Sequence, residues 1–442
     1  MRRGWVVFGA AALVILSATM HGQAQAPWVP RYNVGFAHIQ AGQIETGVRE
    51  LESLGAAFPK DAELMTSIGA ALDMGSRHRQ ADGWYARALA INARYEPALN
   101  DLALSLASQG RLTEALPLLQ KVTRIDPSNG RAIYNLAVIE LQLKRYKEAA
   151  REFESARHVP EPAAPDQTLT LGEATALFKL GRYAEARDLL SCGDEASCLL
   201  LGSSQALVGD LPLAVHNFQR AVELAPQSPD PYFRLALAFL QGRRESDAEA
   251  TLDAGLRVVP HSPLLLYGQA LFYAHKGDYE RGEAAAREAV ERRPSWGDAW
   301  ATLAELRARR AEAGAAEQAF RRAVQLDGSA EHAADYGEFL LQAGRLPESR
   351  EVLETAQRAH PGSAALDRAL GKLYQSENKL GSAEALLRRA VREDPGDASA
   401  HYALAMTLRR LHRDAEARQE LTRFAAVRQK DEFVRVLERV GP

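Results

Sequence analysis

A small residue that returns every 34 positions constrains this chain more than any other feature. With residue 28 as the first of a unit, units begin at 28, 62, 96, 130, 167, 195, 229, 263, 297, 330, 364 and 398. Their eighth residues are Gly35, Gly69, Ala103, Ala137, Ala174, Gly202, Ala236, Ala270, Ala304, Gly337, Gly371 and Ala405. Glycine and alanine fill about a quarter of the 442 residues, so an unbroken series of this kind would arise by chance at ~10⁻⁷. The twentieth residues follow the same rule, with Ser349 the one departure and itself small. A small side chain on each of two antiparallel helices lets their backbones approach closely. Each unit therefore predicts a helical hairpin.

Large residues accompany the small ones. The twenty-fourth position holds Leu51, Tyr85, Leu119, Phe153, Phe218, Leu252, Phe320, Leu353 and Leu387. Prolines stand at the thirty-second place seven times, as at Pro59, Pro127 and Pro226, where they stop the second helix. Gly42, Gly110, Gly181, Gly209, Gly277 and Gly344 mark the turn inside a hairpin.

Small residues at positions 8 and 20, an aromatic or leucine at 24 and proline at 32 together resemble the tetratricopeptide repeat family. The segments Arg111-Leu112-Thr113-Glu114-Ala115 and Gly181-Arg182-Tyr183-Ala184-Glu185-Ala186 match its inter-helix turn closely. The resemblance covers residues 28–431 and implies an all-α, right-handed superhelical solenoid of about twelve helix-turn-helix repeats. It also implies a concave groove lined by first helices, a protein or peptide partner, and no catalysis. Position 4, often tryptophan in the family, is tryptophan only at Trp300, so several copies have diverged.

The organisation expected along the chain has four parts. Residues 1–26 read as an export signal: Arg2 and Arg3 precede the uncharged run Trp5 to Leu16, and cleavage falls after Ala24 or Ala26. An uncleaved membrane anchor is the rival reading, and membrane contact is expected only in that case. Residues 28–165 form a first block of repeats one to four, 167–431 a second block of repeats five to twelve, and 432–442 a C-terminal helical tail. Pro160, Pro162 and Pro165 prevent a continuous helix over 157–168, which is either a longer loop or a hinge. Cys192 and Cys198 flank a shortened second helix in unit five; a disulfide and two separate thiols both fit.

No metal or cofactor site is expected. Two thiols without a neighbouring histidine make an incomplete metal site, and no phosphate-cradling glycine loop or nucleophile motif occurs. Once the repeats are assigned, too little chain remains for an enzymatic domain. His401 and His412 read as surface or groove lining, and Glu283 as a solvating charge on an exposed second helix. With 54 basic and 57 acidic residues well mixed, nucleic acid is not an expected partner. The oligomeric state is left open.

If first helices line the groove as the resemblance implies, positions 5, 6 and 9 give its wall. These are Tyr32, Phe36, Asn100, Leu104, Tyr134, Asn135, Val138, Phe233, Arg234, Leu237, Tyr267 and Leu271, followed by the more charged Glu305, Glu338, Arg368 and Lys372. Aromatic and aliphatic side chains suit the anchors of an extended or helical peptide, while Asn135 and Arg234 suit a backbone or carboxylate. Alanine at Tyr134, Phe233 and Tyr267 is expected to abolish partner capture without unfolding. The expected function is a non-enzymatic scaffold for a protein or peptide in a periplasmic or extracellular compartment. The alternative is a structural or assembly factor of cell-envelope or polysaccharide-export machinery.

Overall fold

The computed structural model describes residues 26–427 and Val436. The expected export signal and most of the expected C-terminal tail lie outside the described residues. Among the described residues there is no strand, and the helices pair into twelve hairpins. Two compact units result, one ending at Ser191 and the other beginning at Cys192.

The first unit contains α1 (Val29–Gln40), α2 (Ile44–Ala57), α3 (Ala62–Met74), α4 (His78–Ile91), α5 (Glu96–Ser108), α6 (Leu112–Ile125), α7 (Gly130–Gln142), α8 (Tyr146–Arg157), α9 (Asp166–Lys179) and α10 (Tyr183–Leu189). The second contains α11 (Glu195–Val208), α12 (Leu211–Leu224), α13 (Pro229–Gln241), α14 (Glu245–Val258), α15 (Pro263–Lys276), α16 (Tyr279–Arg292), α17 (Gly297–Arg309) and α18 (Ala313–Asp327). It continues through α19 (Ala330–Gln342), α20 (Leu346–Ala359), α21 (Ala364–Ser376), α22 (Leu380–Glu393), α23 (Ala398–Arg410) and α24 (Asp414–Val427). Odd-numbered helices are the first of each hairpin, and successive odd helices touch within each unit.

The turn inside every hairpin places its fifteenth residue in the left-handed backbone region. Six of these residues are the glycines named above; the other six are Ser76, Lys144, Arg243, Ala311, Asn378 and His412. Sequence inspection finds the glycine copies only, because the remaining turns carry ordinary side chains in a conformation that costs each of them about 1 kcal/mol.

The position-8 rule has a direct steric cause. A Cβ added to Gly35, Gly69, Gly202, Gly337 or Gly371 would lie 2.4–2.9 Å from the position-24 side chain of the same hairpin: Leu51, Tyr85, Phe218, Leu353 and Leu387 respectively. Each of these five large residues is at most 1% exposed. At position 20 the approach is to backbone, since a Cβ on Gly47 would sit 2.6 Å from the Gly35 carbonyl oxygen. Ser349 exploits that proximity: its hydroxyl donates to the Gly337 carbonyl at 2.7 Å. The one exception to the small-residue rule is thus held by a hydrogen bond.

Helix α9 packs on α8 despite the prolines between them. Helix α10 has only seven residues, and Cys192 beyond it is disulfide-bonded to Cys198, with Cα atoms 4.3 Å apart. Asp194 caps α11 reciprocally with Ser197: the Ser197 amide donates to Asp194 Oδ1 at 2.8 Å, and the Asp194 amide donates to Ser197 Oγ at 3.1 Å. The bond and the cap fix the start of α11 where the preceding second helix is truncated. For so short a loop, the chain-entropy model gives roughly 2 kcal/mol of stabilisation. Thermal melts with and without reductant should show that loss in the native chain and no reductant effect in a double C192S/C198S variant.

Candidate functional site

Adjacent first helices are joined by side chains at the positions singled out from the sequence. In the first unit, Trp28, Tyr32 and Phe36 form a ring ladder with centroid spacings of 5.9 and 5.7 Å. The Tyr32 hydroxyl donates to the Ser67 carbonyl of α3 at 3.1 Å, and burial pushes its pKa up to about 12. Asn135 on α7 donates to Asn100 on α5 at 2.9 Å, and both amides are buried. Asn100 in turn donates to Asp101, whose carboxyl burial raises to about 6. Tyr134 is buried edge-on against Phe153 of α8. Leu104 and Val138 keep partial exposure.

In the second unit, first-helix side chains make contacts of the same kind. Arg234 on α13 donates to the Ser203 hydroxyl of α11 at 3.0 Å. Phe233 stacks on Tyr267 of α15 at 6.0 Å, and Tyr267 meets Trp296 at 4.7 Å. Phe233, Leu237 and Tyr267 are 0%, 1% and 4% exposed, whereas Leu271 is half-buried. Alanine at Tyr134, Phe233 or Tyr267 would therefore remove core packing, and cannot be a neutral probe of capture. Phe233 and Tyr267 join neighbouring first helices, whereas Tyr134 packs on the second helix of its own hairpin.

Farther along, the charged wall expected from sequence is internally paired. Arg368 on α21 donates to Glu338 of α19 at 2.9 Å and to Asp397 at 2.7 Å, and Lys372 donates to Glu338 at 2.7 Å. Burial pushes the Glu338 carboxyl up, but the two cations outweigh it and hold it below the usual range. For Arg368 burial disfavours the charge, while Glu338 and Asp397 restore it and raise its pKa. Such neutralised pairs add register between hairpins and leave little free charge for a ligand.

Two sequence expectations are corrected. Glu283 is 3% exposed and binds Arg287, Arg307 and Arg310. Burial raises its carboxyl, yet the arginines prevail and lower it. His401 is also buried, with Nδ1 2.6 Å from Glu420 and Nε2 3.1 Å from the Pro395 carbonyl. Glu283 lies at a seam between hairpins and His401 between the two helices of its own hairpin, and helical periodicity alone distinguishes neither place from open surface. Complementary types about one repeat apart, such as Glu283 with Arg310 and Glu338 with Arg368, are the signal that could have located such seams.

Glu140 on α7 escaped notice as well. It is 2% exposed, and Oε2 has no hydrogen-bond partner. Burial, reinforced by Glu152 and Glu148, lifts its pKa from 4.5 to about 7. The folded chain then binds more protons than the unfolded chain between those values, so stability falls as pH rises through that window. Glu140→Gln should match the parent near pH 4 and exceed it by about 2–3 kcal/mol at pH 8, measured by denaturant unfolding.

No group of three or more His, Cys, Asp or Glu among the described residues is placed to hold a metal, and no described helix is long and apolar enough to cross a membrane. A cleft in the first unit is lined by charged groups, including Lys147, Arg151, Glu154, Glu173 and Arg182.

Residues 106–159 and 374–438 match one tetratricopeptide repeat model, and 199–263, 233–299 and 301–364 match a second. The cellulose synthase operon protein C of Pseudomonas fluorescens is 23% identical over 280 residues, 58% of this chain and 22% of that protein. The chain thus spans about a fifth of that relative's length. The type IV pilus assembly protein PilF of Pseudomonas aeruginosa is 27% identical over 182 residues, 40% of this chain and 71% of PilF. Among solved structures, yeast Tom70 aligns over 93% of this chain and 95% of its own, with 15% identity and a TM-score of 0.48.

Proposed function

Because the chain belongs to the tetratricopeptide repeat family, we propose that it is a non-enzymatic scaffold that holds a protein or peptide partner against its first-helix wall. The observation that carries this reading is the chemical division of that wall. Its buried members lock hairpins together, while Tyr32, Phe36, Leu104, Val138 and Leu271 retain exposed apolar surface on the same helices. Half-exposed aromatic and aliphatic groups on a rigid backbone are suited to anchor side chains, since little conformational entropy is lost on binding. The disulfide suits an oxidising compartment, which supports an exported location.

A second reading, an assembly factor of envelope or polysaccharide-export machinery, is favoured by the names of the two Pseudomonas relatives. The two readings differ in the surface they use. A photo-crosslinking residue placed at Phe36 or Val138 of the first unit, or at Leu271 of the second, is expected to trap a partner. The exposed second-helix sites Arg220 and Glu223 are the controls. Partner adducts arising only from the second-helix sites would overturn the wall as the binding surface and favour the assembly reading.

A further inference from the structure

The residue that precedes a second helix is often arginine, and three of these arginines share one bonding pattern. Arg111, Arg345 and Arg413 each donate through Nε to the glutamate three residues on, Glu114, Glu348 and Glu416, at 2.7–2.8 Å. Through Nη1 each reaches back to an acid on the preceding second helix: Asp82 at 3.0 Å, Glu317 at 2.8 Å and Glu384 at 2.5 Å. Those acids stand at position 21 of their units. Arg182 keeps the first half of the pattern, donating through Nε and Nη2 to Glu185 at 2.7 and 2.5 Å. The second half is missing, because position 21 of the preceding unit is Ala150. Nη1 of Arg182 meets no acceptor among the described residues.

Alanine leaves room at that place as well as a missing charge. Arg77, Arg145 and Arg244 also follow an apolar position 21, but Val48, Leu116 and Val215 supply bulk there. Beside Arg182 the first unit instead opens a cleft of about 450 Å³, lined by Lys147, Ala150, Arg151 and Glu154 of α8 and by Glu173 of α9. That volume lies in the range of ligand pockets. The lining departs from the repeat a second time. Glu173 occupies position 7, where Leu102, Leu136, Leu235, Leu303, Leu370 and Leu404 stand in other units. It is 8% exposed, and among the described residues only its Oε2 is engaged, accepting from Arg157 at 3.1 Å. One cleft thus holds an unused arginine donor and an unused carboxylate acceptor.

We propose that this cleft receives an aspartate or glutamate side chain from a peptide segment of a partner protein, its carboxylate taking the vacant position-21 place beside Arg182. Three seams of the same chain show an arginine held in this way taking a carboxylate from a neighbouring helix. A free anion is poorly matched, since four acids line the cleft against three cations. A peptide brings its carboxylate together with backbone N–H donors, and one of these suits the open Oε1 of Glu173. Most of the lining comes from α8 and the start of α10, so this subsite is separate from the first-helix wall and stands or falls apart from it.

The test titrates the full chain with the peptide acetyl-Gly-Ser-Glu-Ser-Gly-amide, followed by NMR. The parent is expected to bind it at least tenfold more tightly than the counterparts carrying Gln or Lys in place of Glu. Ala150→Glu should supply the missing acid from within and weaken peptide binding at least tenfold. Arg182→Gln should do the same by removing the donor; Arg182 is exposed, so this change spares the fold, and retained helicity is checked for both variants. Arg77→Gln, at the seam filled by Val48, should leave binding unchanged. No binding by the parent, a preference for the Gln or Lys counterpart, or equal binding by parent, Ala150→Glu and Arg182→Gln would overturn the proposal. Displacement of the peptide by an equal concentration of inorganic phosphate would overturn it too, as would an equal loss in Arg77→Gln. The crosslinks from Phe36, Val138 and Leu271 test the wall separately, so failure of either site is told apart from failure of the other.

Discussion

Phe233→Ala is expected to destabilise the second unit by about 3–5 kcal/mol, the range for deleting a wholly buried aromatic ring. The ring has 0% exposure and lies between neighbouring first helices, stacked on Tyr267 and close against Gly268. Neither partner can fill the space: Tyr267 is held by Trp296, and Gly268 has no side chain. A stack of hairpins unfolds approximately as a sum of repeat and interface terms, so the loss should be concentrated near the break. Hydrogen exchange should therefore accelerate most in α13 and α15 and least in α3, and the denaturant midpoint of the second unit should fall. Unchanged exchange in α13 and α15 would show that the ring is peripheral to the core.

Gly337→Val is expected to cost about 3 kcal/mol, at the upper end of overpacking effects. The first added carbon would meet Leu353 Cδ2 and Cγ at 2.4 and 2.5 Å, and Leu353 is itself 0% exposed. Because Cγ is near the root of that side chain, a rotamer change at its tip cannot relieve the clash. Removing glycine from a helix interior normally stabilises by up to about 1 kcal/mol, so the steric term must exceed this opposing gain. Gly83, Gly314 and Gly381 are the controls, since nothing lies within 4 Å of a Cβ added to any of them. Alanine at those positions should be neutral or stabilising, and the opposite sign at Gly337 isolates the contact.

The repeat was legible because its cause is local and recurrent. Small residues at position 8 meet large ones at position 24 in hairpin after hairpin, and each pair leaves its mark on the sequence. The turn was only half legible: glycine advertises a left-handed backbone, whereas Lys144, Arg243 and Ala311 adopt it unannounced. The first-helix positions were picked out from their spacing, but which of them are buried and which exposed was not legible. Phe233 and Tyr32 occupy equivalent places in their units, and only the neighbouring hairpins make one core and the other half-open. Buried charges were the least legible. Glu283, His401 and Glu140 look like surface residues until the neighbouring helix is seen, with a partner for the first two and none for Glu140 Oε2.

The central claim is that a small residue at position 8 exists to receive the large residue at position 24. A double-mutant cycle between Gly337→Val and Leu353→Ala tests it most directly. Alone, Leu353→Ala should cost about 2–5 kcal/mol through the cavity it leaves. In the double variant the added valine should partly fill that cavity, so the combined loss should fall short of the sum by about 1–3 kcal/mol. Strict additivity of the two losses would contradict the account, because residues that do not share a space have nothing to exchange.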